Sequence, residues 1–461
     1  MPSRIEYQSE PLLSNGSAKD DDRNEKTVPS DDFFKLQHRT RFLSTKLFVG
    51  TFAIAYAALT ILIQVKKDDW QPPLKMFRGS ALLIALCALL PVNRTAWHKA
   101  RLDYGEMFFP SENTSTVATP TAKLLTPIRA FAALWTLFFV VFVCTAHVSR
   151  AFYLSWSLVV WALLLLFAIL VCRRIPLLPL VESRRWLARV LLRIFTAPLW
   201  EVEFADFWVA DQLCSLTQTM IDLEFSLCYA FVDYPGNGPE VCNCPKAHLS
   251  CVQPNVTAPY YNWIRPAIAC LPSYWRFLQC MRIFLCKRPG DAKRNFSQLI
   301  NAGKYLSQFP VIIFSTLYGL ASAREDNPNN LTPSNSTYFY LWIVSSVVHS
   351  LYVFVWDVVM DWGLCTGSCC CKNCVLSRRL YYKRRWCYYG AIGLDFLLRF
   401  CWSFKLSIQF GILRNTSNDL IVAILAMLEV IRRFIWNFFR IENQQYTNDR
   451  VLISRTMQPI N

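Results

Sequence analysis

Glu429, Arg432, Arg433 and Arg440 stand in the run LEVIRRFIWNFFRIEN, whose other residues are apolar enough to sit in a bilayer. A charge at the bilayer centre costs roughly 3 kcal/mol on insertion scales, so these side chains must face a cavity or an opposite charge. Adjacent arginines with a glutamate one turn earlier suit a small multivalent anion. Guanidinium forks match pairs of oxyanion oxygens, and the carboxylate holds the fork when the anion leaves. Glu429, Arg433, Trp436 and Arg440 fall at i, i+4, i+7 and i+11 on one helical face. Asp211, Ser215, Gln218 and Asp222 repeat that spacing, which predicts a helix polar from end to end. WDVVMDWGL puts Asp357 and Asp361 one turn apart, and LDFLLRFCWSFKLS stacks Asp395, Arg399 and Trp402, with Lys405 three residues on. Lys304 lies in NAGKY, where it opens a further apolar run.

Four polar-striped helices are what a water-filled conduit needs. Acids alone would line a cation path, and a proton pump would favour carboxylate or histidine relays. Here Arg399, Arg432, Arg433, Lys304 and Lys405 compete with Asp211, Asp361 and Glu429. That mixture fits an anion that carries protons, since acids accept from its protonated oxygens while arginines bind the charged ones. The competing reading is a salt-bridge lattice in a non-transporting membrane scaffold or receptor of Golgi or secretory trafficking. Buried ion pairs are poor glue compared with apolar packing, which favours transport.

The elements that must position these residues are legible from composition. The chain has 461 residues, 54% hydrophobic and 15% aromatic, with mean hydropathy +0.25 and net charge +16. The fold class expected is all-α, a multi-pass membrane protein with about ten transmembrane helices. They fall near 47–65, 74–92, 127–144, 152–172, 204–232, 263–284, 304–323, 338–362, 386–413 and 420–440. The domains expected are a disordered cytosolic tail (1–46), four helices (47–175), a cytosolic connector (176–203), six helices (204–445) and a second tail (446–461). Within the connector, Trp186, Val190, Leu191 and Ile194 oppose Arg184, Arg185, Arg189 and Arg193. That helix either lies on an anionic leaflet or packs as a basic connector on the bundle.

The basic charge sits in short loops rather than in a nucleic-acid surface. With a cytosolic N-terminus the inner loops hold 23 Lys and Arg and the outer loops 7, so both termini are placed in the cytosol. Sequons at Asn255, Asn330, Asn335 and Asn415 then fall outside, and those at Asn15, Asn93, Asn113 and Asn295 fall inside and stay unglycosylated. Cys365, Cys369, Cys370, Cys371 and Cys374 follow a span among basic residues, which suits palmitoylation or reduced thiols better than zinc. Cys242, Cys244 and Cys251 face the oxidising side, so one disulfide is expected, with Cys228 or Cys270 as a further candidate partner. No nucleotide loop, metal motif or nucleophile elbow is present, so neither an enzyme, a cofactor nor ATP-driven pumping is expected.

Seven ordered strings carry a resemblance: ADFWVADQL, CLPSYWRFLQCMR, NAGKY, FYLWIV, WDVVMDWGL, LLRFCW and LEVIRRFIWNFFRIEN. Together they resemble the EXS domain and, more closely, the xenotropic and polytropic retrovirus receptor family of eukaryotic phosphate exporters. The resemblance is strong over about 200–445, and the four preceding spans match in layout. It implies export of inorganic phosphate, with Asp211, Lys304, Tyr305, Asp361, Arg399, Arg432 and Arg433 lining the site. It further implies that Glu429 organises the arginines, that Trp402 is an outer gate, and that Arg276 and Arg294 form an inner vestibule. Lys405, grouped with the gate, stands where the better-known exporters carry an uncharged polar residue, and Cys214 stands where they carry asparagine.

The family's usual SPX domain, a sensor of inositol pyrophosphates, does not fit in 46 polar residues, so sensing of that ligand in cis is not expected. Members without it resemble Golgi phosphate recyclers of fungi, which leaves either the plasma membrane or a Golgi or endosomal membrane as the location. The partners expected are inorganic phosphate and membrane lipid, with a homodimer left open and no nucleic acid.

Overall fold

A computed structural model of the chain describes residues 71–108, 128, 132, 135–136, 139, 181–231, 259–286, 292–324, 333–365, 376, 380–409 and 418–456. The expected tail 1–46, the spans at 47–65 and 152–172, the sequon at Asn255 and the cysteines Cys242, Cys244, Cys251, Cys369, Cys370, Cys371 and Cys374 lie outside these residues. Every regular element among the described residues is helical. In chain order they are α1 (Gln71–Lys99), α2 (Tyr104–Phe108), α3 (Val181–Phe195), α4 (Phe204–Ser215), α5 (Thr217–Phe231) and α6 (Pro259–Leu285). There follow α7 (Ala292–Leu306), α8 (Gln308–Arg324), α9 (Pro333–Trp356), a π-helical turn (Asp357–Asp361), α10 (Trp386–Arg399), a 3-10 turn (Cys401–Ser403), α11 (Phe404–Gln409) and α12 (Asn418–Thr456).

Helix α12 is the axis. Its 39 residues reach about 58 Å at 1.5 Å per residue, well past the 420–440 segment expected from hydropathy. It packs against α1, α4, α10 and the π turn. A buried amide ladder ties three of these together: Gln212 Nε2 donates to Asn437 Oδ1 at 2.9 Å, and Asn93 Nδ2 donates to the Phe434 carbonyl at 3.0 Å. Asn93, expected to escape glycosylation, is wholly buried. Toward the C-terminal half of α12 an aromatic core closes the bundle, with Phe108 and Trp208 centroids 5.1 Å apart and Trp362 and Phe439 5.0 Å apart. Against it α3 lays Val190 and Ile194, both fully buried, while Leu192 and Phe195 stay exposed. The connector helix is therefore packed on the bundle by one face and still presents another.

Four of the expected spans are interrupted. The 204–232 segment breaks at Leu216, where the Thr217 hydroxyl donates to the Cys214 carbonyl at 2.8 Å. The 304–323 segment is replaced by α7 and α8 with a break at Ser307, whose hydroxyl donates to the Lys304 carbonyl at 2.6 Å. In both, a side-chain hydroxyl competes for a carbonyl near the place where the ladder stops. The 338–362 segment ends in a π turn, with Trp362 N donating to the Asp357 carbonyl at 2.9 Å. The 386–413 segment is cut after Arg399, where the Ser403 amide donates to Phe400 O at 3.0 Å and tightens the chain. Among the described helices, Phe77–Lys99 and Thr337–Asp361 are the two long and apolar enough to cross a membrane by length and composition. The structure also leaves Cys270 as a free thiol.

Candidate functional site

The interruptions all converge on one charged layer. At its centre Arg432, 1% exposed, donates from Nε and Nη2 to both Glu429 oxygens at 2.8 and 2.6 Å. This fork exists because the two residues are one helical turn apart on α12. The same guanidinium reaches Asp357 on the π turn and Asp395 on α10, each at 3.3 Å. Arg399, the last residue of α10, pairs with Asp357 as well. Widening the helix from Asp357 to Asp361 lets the two aspartates part company. Asp357 faces the arginines, while Asp361 lies 3.8 Å from Lys304 and accepts from Trp436 Nε1 at 3.3 Å.

A second knot joins α4, α6 and α7. Asp211 accepts from Arg276 Nε at 2.9 Å and from the Tyr305 hydroxyl at 2.7 Å. Arg276 lies 4.8 Å from the Tyr305 ring and donates to Gln279 at 2.7 Å. Lys304, near the end of α7 because the helix begins at Ala292 instead of at the lysine, sits over the Tyr305 and Trp356 rings at 4.4 and 5.3 Å.

Arg433 differs from its neighbours. It is 6% exposed, donates from Nε to Ser215 Oγ at 2.8 Å, and stacks over Trp436 at 4.6 Å. Ser215 in turn donates to Glu429 at 2.7 Å. Among the described residues no carboxylate lies within ion-pair distance of Arg433, and neither Nη makes a hydrogen bond. Glu429 is reached only through Ser215, so the two Nη groups are left for an anion, which would complete this position.

Two cavities flank the layer. One, of about 560 Å³, is lined by Arg265, His349, Arg399, Trp402, Lys405 and Glu429 among others. The other, of about 480 Å³, is lined by residues that include Asp211, Arg276, Arg282, Asn301, Asp361 and Arg440. They share no lining residue, and Lys304, Tyr305, Arg432, Arg433 and Trp436 line neither. Arg432 and, through Ser215, Arg433 join Glu429 of the first lining, while Lys304, Tyr305 and Trp436 join Asp361 or Asp211 of the second, and these five are called the partition. Trp402, whose indole donates to Ser350 at 3.0 Å, and Lys405 both border the larger cavity.

The sequence grouping therefore needs several changes. Arg276, expected in an inner vestibule, lines the 480 Å³ cavity and is bonded there to Asp211 and Tyr305. The polar stripe from Asp211 to Asp222 is split by the Leu216 break, and Asp222 leaves the layer to chelate Arg78 of α1 at 2.8 and 2.5 Å. The side chain of Arg294 lies outside those described. Asp357, Asp395 and Ser215, seen in the sequence but not assigned to the site, are inside it. Arg78, Arg282 and Asn301 were passed over. A lone arginine in the second apolar run, 74–92, was the signal for Arg78.

Residues 73–446 match the EXS family, so the chain belongs to that family. The matched stretch takes in α1 from Pro73 onward and every later described element up to Tyr446 of α12. Relatives include a xenotropic and polytropic retrovirus receptor 1 homolog of Xenopus laevis, 33% identical over 410 residues, covering 87% of this chain and 54% of the relative. Solute carrier family 53 member 1 of Homo sapiens is 32% identical over 417 residues, covering 87% and 55%. A receptor 1 homolog of Danio rerio is 31% identical over 420 residues, covering 88% and 56%. The chain thus spans about half the length of the curated relatives it matches.

Proposed function

We propose that this protein carries inorganic phosphate across a membrane, down its gradient, through the partition between the two cavities. The observation that carries the reading is Arg433: a buried guanidinium with two unengaged Nη groups and no carboxylate at ion-pair distance among the described residues, linked through Ser215 to Glu429 of one cavity wall and through Trp436 to Asp361 of the other. Phosphate supplies the missing charge in a geometry the fork matches. Membership of the EXS family and similarity to a solute carrier support transport, and the acids beside the arginines suit an anion that carries protons.

In this reading the chain forms a multi-pass bundle of about ten spans with both termini in the cytosol. The 480 Å³ cavity then opens inward, because Arg440 and Gln444 lie in the C-terminal half of α12, and the 560 Å³ cavity opens outward under Trp402 and Lys405. Asp211, Lys304, Tyr305, Asp361 and Arg399 flank the passing anion, while Arg432 and Glu429 act as a rigid frame for Arg433. The membrane is the plasma membrane or that of the Golgi or endosomes. The test is radiolabelled phosphate release from proteoliposomes containing the full chain. Release that vanishes in Arg433→Gln, with the variant folded, is expected; undiminished release from that variant would overturn the assignment.

A further inference from the structure

Within the 480 Å³ cavity, the groups left over after all internal pairing have a particular chemistry. Arg440 has no carboxylate within ion-pair distance among the described residues. It lies over the Phe204 and Phe207 rings at 5.4 and 5.1 Å, and its Nη2 donates to Gln444 at 3.3 Å. Aromatic stacking fixes a guanidinium without neutralising it. Arg282, near the end of α6, has a buried Nε with no hydrogen-bond partner. Asn301, on α7, has a buried Oδ1 with no partner either. The carboxylates bordering the same cavity are otherwise engaged: Asp211 by Arg276 and Tyr305, and Asp361 by Lys304 and Trp436. Glu201 is exposed.

Among the described residues, what remains at this cavity is two arginines without a carboxylate, the indole donor of Trp356 and one neutral acceptor, Asn301 Oδ1. Buried polar atoms are almost always paired, so an orphan on a cavity wall is open to a water or to a ligand atom. Donors alone would bind any tetrahedral oxyanion. An acceptor can be satisfied only by a ligand that brings a proton.

We infer that Arg282, Arg440 and Asn301 form a selectivity site on the approach to the partition, where the arginines take the charged oxygens and Asn301 Oδ1 accepts from the P–OH of a monoprotonated or diprotonated phosphate. Sulfate and phosphate have similar size and shape, but sulfate carries no proton at neutral pH. Facing Asn301 it would leave the acceptor unpaired and bring two lone-pair-bearing oxygens together. Sites that hydrogen-bond a particular substrate group reject an analogue lacking it by large factors, because a buried polar group is then left unpaired. This inference rests on the phosphate-transport reading and supplies its discrimination step.

The experiment measures phosphate release from proteoliposomes of the full chain against internal phosphate concentration, with and without internal sulfate. Wild type, Asn301→Leu, Arg282→Gln, Arg440→Gln and the central Arg433→Gln are compared, each first checked for a monodisperse folded species. Sulfate should compete weakly in wild type and about tenfold more strongly relative to phosphate in Asn301→Leu. Arg282→Gln and Arg440→Gln should each raise the half-saturating phosphate concentration about tenfold at little cost to the maximal rate. Asn301→Asp, which keeps an acceptor at that position, should preserve rejection of sulfate and covers the case in which the leucine variant fails to fold. If Arg433→Gln abolishes release while Asn301→Leu still excludes sulfate and neither cavity arginine shifts half-saturation, the selectivity site is overturned and the transport reading stands. If Arg433→Gln releases phosphate normally, the transport reading itself has failed.

Discussion

Adjacent arginines at 432 and 433 should respond to the same substitution in opposite ways. Arg432 is surrounded by Glu429, Asp357 and Asp395, with bonds of 2.6 to 3.3 Å to all three. Replacing it with glutamine leaves three acids with Arg399 as their nearest remaining cation, and two of those acids are 2% exposed or less. Breaking a buried pair by removing one partner costs about 3–5 kcal/mol, so Arg432→Gln should be strongly destabilised. Arg433→Gln removes a buried charge that has no carboxylate to strand, and loses a single bond to Ser215 with a cation–π contact to Trp436. Its stability should change by about 1 kcal/mol or less. Its phosphate flux should fall about a hundredfold, since two charge-assisted hydrogen bonds at about 1.5 kcal/mol each are lost. Thermal unfolding in detergent, beside flux per folded molecule in proteoliposomes, reads both quantities. An Arg432→Gln protein as stable as wild type, or an Arg433→Gln protein that unfolds early, would refute the division of labour between them.

Other substitutions separate frame from path. Asp361→Asn removes the partner of Lys304 at 3.8 Å and should lower flux with a modest loss of stability, seen in the same paired assay. Asp222→Asn should cost about 2–4 kcal/mol, because Arg78 keeps only the Asp419 contacts, while flux per folded molecule stays unchanged. Gly363 has φ +62°, and a Cβ there would come within 2.2 Å of Asn443 Oδ1. Gly363→Ala should therefore displace Asn443, whose amide holds the Met360 and Asp361 carbonyls at 3.1 Å, and lower both unfolding temperature and flux.

Helical spacing is local, and what depended on it was open to reading. The apolar runs, the all-helical class and the pairing of Arg432 with Glu429 one turn away follow from residue order, and charge in an apolar run must turn inward wherever the fold puts it. Breaks at Leu216 and Ser307 were less legible. A serine or threonine hydroxyl competes for a carbonyl only when packing lets it, and hydropathy averages over the interruption. Partner choice was not legible. Successive residues on a helix point about 100° apart, so Arg432 and Arg433 share a sequence context yet face different helices: one meets Asp357 and Asp395, the other Ser215 and the partition. The sequence alone determined that these charges lie inside. Only the tertiary structure decided which of them are neutralised and which remain for a ligand, since ion pairing depends on residues hundreds of positions apart meeting within a few ångströms.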